Sequence, residues 1–203
     1  QQMAELHIGF QVYNNKYNMH YIKPYTQFNE SVQTARIFCD MDGVLSDWDS
    51  QFEKEAGMTI EEFQKKYSKN ASWKLVGKAG EPFWAGMEWM TDGIDLWSFI
   101  RKFNPTILSS PSLDPNSITG KAKWLKKNLN WDFPYITKLE DWTGKERTIF
   151  YSNKFEFATG PSDILIDDTP KKLDAWIAAG GTGILHTSAK ETIAELKKLG
   201  FDK

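Results

Sequence analysis

The stretch Ile37-Phe38-Cys39-Asp40-Met41-Asp42-Gly43-Val44-Leu45 constrains this chain most. An apolar run ends there in two aspartates one residue apart, and glycine follows at once. Alternate side chains of a strand share a face. Asp40 and Asp42 therefore reach one small space if the chain leaves the sheet between them, an exit that Gly43 permits. Two carboxylates that close are costly unless one is protonated or a cation lies between them. The motif calls for a proton-sharing pair or a divalent metal; read for shape alone, it is a turn after a strand.

From Ala35 onward, short apolar segments alternate with helical periodicities, which predicts an α/β fold with a mainly parallel sheet. The strands fall at 36–40, 105–109, 147–151, 163–167 and 183–186. Helices are expected over 92–103 and 116–128, from Pro170 behind Thr169, and from Ser188, where Ser188-x-x-Glu191 has the form of a capping box, to Gly200. Roughly sixty residues separate the first strand from the second, far more than one crossover needs. They carry helical signals at Trp48 to Ala56, at Thr59-x-x-Glu62 through Tyr67, and at Ser72 to Val76. The expected organisation is a core of 35–45 and 91–203, a small helical cap of 46–90 over the carboxyl end of the sheet, and an N-terminal extension of 1–34 that drapes over the body.

With 40% hydrophobic and 26% charged residues, the chain of 203 residues has the composition of a globular protein able to bury a core. Its net charge of −2, from 25 basic and 27 acidic residues, gives no global attraction to nucleic acid. The lysine-rich stretch 121–127 is the one local candidate, and it reads as the solvated face of an amphipathic helix. A single cysteine, Cys39, excludes an intrachain disulfide and fits a reducing, cytoplasmic setting. No apolar stretch is long enough for a membrane partner, and the N-terminus lacks the pattern of a signal peptide.

Ligands of an open parallel sheet bind at the carboxyl ends of its strands, so the polar residues that follow each apolar run matter most. The first run delivers Asp40 and Asp42; Pro105-Thr106-Ile107-Leu108 delivers Ser109 and Ser110; Ile149-Phe150-Tyr151 leads to Lys154; Ile164-Leu165-Ile166 delivers Asp167 and Asp168. Carboxylates to hold Mg2+, hydroxyls and an ammonium together suit a phosphate bound on a hard cation. One aspartate can then attack phosphorus while the other moves the proton.

These four sites, in this order, resemble the motifs of the haloacid dehalogenase (HAD) superfamily of phosphohydrolases: Asp40-Met41-Asp42-Gly43-Val44, Ser109, Lys154 and Asp167-Asp168. The resemblance implies a Rossmann-like, doubly wound sheet and a Mg2+-dependent phosphomonoesterase with an aspartyl-phosphate intermediate. By it, Asp40 is nucleophile and metal ligand, and Asp42 is the acid/base whose carbonyl also touches the metal. Ser109, Ser110 and Lys154 hold the phosphate, and Asp167 and Asp168 complete the metal site. Within the superfamily, Leu108-Ser109-Ser110-Pro111, Ile164 to Pro170, and Trp176-x-x-x-Gly180-Gly181-x-Gly183 are most similar to the 5'(3')-deoxyribonucleotidase group. A small phosphorylated substrate, a (deoxy)ribonucleoside monophosphate, follows from that likeness. Phe83, Trp84 and Trp89 would then form an aromatic wall for its base, although tryptophans such as Trp48, Trp73 and Trp97 read as core. Two alternatives stand beside this reading. One is a phosphatase for DNA or RNA ends, supported by the 121–127 stretch. The other is a receiver-like phospho-acceptor domain, against which stand the Asp-x-Asp pair and the large insertion.

Overall fold

The computed structural model describes residues 35–202, so the expected N-terminal extension lies outside the described residues. Six strands form the main sheet in the order β5 (Tyr135–Ile136), β6 (Thr148–Phe150), β4 (Thr106–Ser109), β1 (Arg36–Cys39), β7 (Asp163–Asp167), β8 (Thr182–Leu185). Every pairing is parallel. Such strands are covered on both faces and therefore read as continuous apolar runs. Their period of two still sorts the side chains: Ile37, Cys39, Ile164 and Ile166 enter one core, and Phe38 and Leu165 enter the other.

The first core is covered by α5 (Gly93–Ile100), α6 (Asn116–Leu129) and α8 (Ala189–Lys198), through residues such as Leu96, Trp124 and Leu196. The second is closed by α7 (Pro170–Ala178), which contributes Leu173 and Trp176. The strands and helices predicted for the core recur within a residue or two of their expected positions, with helix α5 continued by a short 3-10 turn over Arg101–Phe103, while the helix signalled at Ser72 to Val76 runs three residues further at each end. At α8 only half of the capping box forms. The Ser188 hydroxyl accepts from Glu191 N, but the Glu191 carboxylate takes the Thr187 hydroxyl instead of the backbone of Ser188. The two-residue edge strand β5 carries no sequence signal, because so short a strand has no period to read.

Between β1 and β4 the chain forms a two-stranded antiparallel ribbon, β2 (Ser46–Asp47) with β3 (Glu88–Trp89). The ribbon brackets four helices: α1 (Trp48–Ala56), α2 (Ile60–Lys66), α3 (Lys69–Ala79) and α4 (Glu81–Ala85). The Thr59 capping box of α2 is complete, with its two reciprocal bonds present. Helix α4 lies against α6 at Gly120, where a Cβ would come within 2.8 Å of the Glu81 carbonyl oxygen and strike the Trp84 side chain. No helix among the described residues is long and apolar enough to cross a membrane.

Sheet topology positions the site. From β1 the chain moves to β4, on to the edge strand β5 and back to β6 between them, then crosses to place β7 on the other side of β1. The strand order thus reverses at β1, and the carboxyl ends of β4, β1 and β7 open a crevice there.

Candidate active site

Because Cys39 pairs with Ile166, the next residues, Asp40 and Asp167, emerge side by side at the ends of β1 and β7. Both are buried, and Lys154 stands between them, its ammonium 2.8 Å from Asp40 Oδ1 and 2.6 Å from Asp167 Oδ2. Lys154 is brought there by a 3-10 turn, Lys154–Phe157, that follows β6. Asp40 Oδ1 also accepts from Met41 N at 2.7 Å, which leaves Oδ2 the less occupied oxygen, 3.5 Å from Lys172 Nζ. Asp168, exposed, completes a cluster in which one carboxylate oxygen each from Asp40, Asp167 and Asp168 lies within 4.8 Å of the others.

Electrostatics separates these carboxylates. Burial works against ionisation of Asp40, but the ammonium groups of Lys154 and Lys172 outweigh it and hold the carboxyl well below the ordinary range. Asp167 is pushed up to about 6 by burial and by the charge of Asp40, against the lysines. Asp168 is raised by burial and by Asp40. Lys172 loses basicity to burial but gains more from Asp40, Asp167 and Asp168, and ends raised. An anionic cluster in so small a space is the donor set of a hard divalent cation, and oxygens from Asp40, Asp167 and Asp168 fit Mg2+ by chemistry.

After Asp40 the chain turns sharply: Leu45 N and Ser46 N donate to Met41 O, and Gly43, at φ 77°, donates to Ser46 O. The turn leaves Asp42 partly exposed, with Ser46 Oγ donating to its Oδ1 at 3.2 Å. Ser109, the last residue of β4, is buried beside it, and the Ser110 hydroxyl is buried with no hydrogen-bond partner among the described residues.

A cleft of about 990 Å³ opens above these groups, lined from below by Asp40, Asp42, Ser109, Ser110, Asp168 and Lys172. Its upper wall comes from α1 to α3 and includes Trp48, Gln64, Asn70, Trp73 and Lys74. The structure therefore brings together Asp40, Asp42, Ser109, Ser110, Lys154, Asp167 and Asp168. It treats the three expected aromatics differently. Trp84 lines the cleft, its Nε1 buried and without a partner among the described residues. Phe83 is buried against Trp48 and Trp84, and Trp89 packs on Trp124 at 5.0 Å, so neither lines the cleft. The exposed aromatic face there is Trp73, 44% exposed and 5.8 Å from Trp48, two residues that sequence reasoning assigned to the core.

Two lysines were also missed. Lys172 sits in the first turn of α7, where the helix dipole disfavours a cation; a lysine there, four residues after Asp168, was a legible signal. Lys121 does not belong to the solvated face expected for 121–127. It lies in the buried stripe Ser117, Gly120, Lys121, Trp124 of α6, whereas Lys123, Lys126 and Lys127 are exposed. That i, i+3, i+4, i+7 spacing could have placed it.

No family model matches the chain and no curated protein matches it. Among solved structures, the chain is similar to a HAD-superfamily hydrolase from Ehrlichia chaffeensis, with 12% identity and a TM-score of 0.43 over 81% of this chain and 95% of the other. It is also similar to a HAD family enzyme from Bacteroides thetaiotaomicron, with 18% identity and a TM-score of 0.45 over 80% and 98% of the two chains. A variant of that enzyme in complex with magnesium and inorganic phosphate matches at 17% identity and a TM-score of 0.39, over 76% and 94%. The likeness to these hydrolases is one of fold.

Proposed function

We propose that the chain is a HAD-type phosphomonoesterase that acts on a nucleoside monophosphate, with residues 46–90 as its cap. The observation that carries this reading is the convergence at one strand-order reversal of Asp40, Asp168 and the Ser109 hydroxyl on the floor of the cleft, with Asp167 and Lys154 buried directly against Asp40.

Asp40, Asp167 and Asp168 would hold Mg2+, together with the backbone carbonyl of Asp42. When bound, the ion offsets phosphoryl charge and so lets a carboxylate approach an anionic ester. Asp40, kept ionised by its lysines, attacks phosphorus through a carboxylate oxygen as the bond from phosphorus to the ester oxygen breaks. Asp42 gives its proton to the departing oxygen, which leaves as an alcohol. Asp42 then takes a proton from water, whose oxygen attacks the phosphorus of the aspartyl-phosphate. The bond from phosphorus to Asp40 breaks, and phosphate and the Asp40 carboxylate are restored. Ser109, Ser110 and Lys154 would bind the phosphoryl oxygens, and the Trp73 face, with Gln64 and Asn70 beside it, offers a stacking surface and amides for a base.

The alternative of a polynucleotide-end phosphatase loses support, since Lys121 faces inward and Lys123 and Lys126 pair with Glu81 and Asp132. The deciding experiment is phosphate release with Mg2+ from ribo- and deoxyribonucleoside 3'- and 5'-monophosphates, sugar phosphates and p-nitrophenyl phosphate. Turnover of a nucleotide that disappears in Asp40→Asn, with the fold kept, is expected. Full activity in Asp40→Asn would remove covalent catalysis.

A further inference from the structure

Lys121 is 1% exposed, and its ammonium has three acceptors in reach: Asp42 Oδ2 at 2.6 Å, Ser109 Oγ at 2.9 Å and the Ser110 carbonyl at 2.8 Å. A lysine ammonium has three N–H donors, so these partners use all of them and none remains for a substrate. The Trp84 ring, 5.1 Å away, closes the remaining side, and Gly120 lets α4 approach closely enough to put it there.

Burying a lysine ammonium carries a desolvation penalty that pairing with the partly exposed Asp42 does little more than offset, so the pair is a weak source of stability. The position thus invites a functional explanation, and its partners supply one. Ser109 Oγ accepts from Lys121 and makes no other hydrogen bond among the described residues, so its own proton is free for an oxygen in the cleft. Asp42 is held at both oxygens, Oδ2 by Lys121 and Oδ1 by Ser46. We infer that Lys121 is a positioning residue, one that locks the Asp42 carboxylate and the Ser109 hydroxyl into a single arrangement for phosphoryl transfer. This inference rests on the function proposed above. Groups held ready in this way act mainly on turnover, because a small misplacement of a reacting group costs rate more than ground-state binding.

The test is a double-mutant cycle on phosphate release with Lys121→Met, Asp42→Asn and the double variant, with circular dichroism to verify the fold. Lys121→Met is expected to lower kcat at least about tenfold with KM changed less than about threefold. The double variant is expected to be clearly faster than the product of the two single losses predicts, because part of the effect of Lys121 passes through Asp42. A kcat for Lys121→Met within about twofold of wild type, or losses that multiply in the double variant, overturns the inference while the phosphatase reading stands. Should Lys121→Met not fold, Lys121→Gln is read by the same criteria. A wild-type protein that neither releases phosphate nor binds orthovanadate with Mg2+ ends the phosphoryl-transfer reading, and this inference with it.

Discussion

Gly43 lies directly against Asp168: a Cβ at position 43 would come 2.8 Å from the Asp168 carboxyl carbon and overlap its Oδ2. The same glycine has φ 77°, a left-handed backbone that side chains disfavour. One residue therefore serves both the turn after Asp40 and the space in which the Asp168 carboxylate of the candidate metal cluster sits. Gly43→Ala is expected to cost about 1–2 kcal/mol of stability from the backbone alone, measured by urea denaturation. Displacement of Asp168 is expected to weaken Mg2+ binding in the same variant, read by calorimetry.

Lys154 is the cation that makes two buried carboxylates tolerable. Lys154→Met leaves Asp40 and Asp167 without it, and breaking a buried pair in this way costs about 3–5 kcal/mol. Mg2+ would compensate by binding the folded state alone. The expected result is a low Tm in chelator and a larger rise in Tm on adding Mg2+ than wild type shows; equal rises would count against the carboxylates as the metal site.

Trp73 offers its face to the cleft and is half exposed, so Trp73→Ala is expected to change stability by less than about 1 kcal/mol. Loss of a stacking platform worth about 1–3 kcal/mol corresponds to a rise in KM of roughly 5- to 150-fold for a nucleoside monophosphate. Steady-state kinetics should show that rise, with a sugar phosphate unaffected.

His186 is buried behind β8 with Nδ1 2.9 Å from the Thr192 hydroxyl, and burial lowers its pKa below the usual 6.5 despite Asp92 and Asp168. Between the lowered folded value and 6.5 the unfolded chain binds more protons. Stability contributed by the neutral ring is therefore complete above the unfolded value and is lost as pH falls through the window. Urea denaturation from about pH 7 to about pH 5 should show a steeper loss in wild type than in His186→Gln, whose side chain at that position does not titrate.

Gly120 is the contact between the inserted helices and the core. Gly120→Ala forces a methyl group into Trp84 and the Glu81 carbonyl; overpacking of this kind costs about 1–3 kcal/mol. A drop in Tm accompanied by reduced turnover is expected, because Lys121 and the cleft wall move with the seam.

Local chemistry determined a good part of this protein. The apolar runs ending in Asp40, Ser109 and Asp167 were legible because a parallel strand buried on both faces leaves a continuous signature, and because its ligand-facing end is where polar residues reappear. The complete capping box at Thr59 was equally local. Tertiary structure decided what depends on how elements meet. Which aromatic faces the cleft was set by how α1 to α4 fold on the ribbon, so Trp73, read as core, is exposed, and Phe83, expected in the wall of the site, is enclosed. Lys121 and Lys172 acquired their partners only when α6 and α7 were brought to the ends of β1 and β4; a lysine's charge is visible in a sequence, whereas the acceptors that make its burial tolerable lie far along the chain.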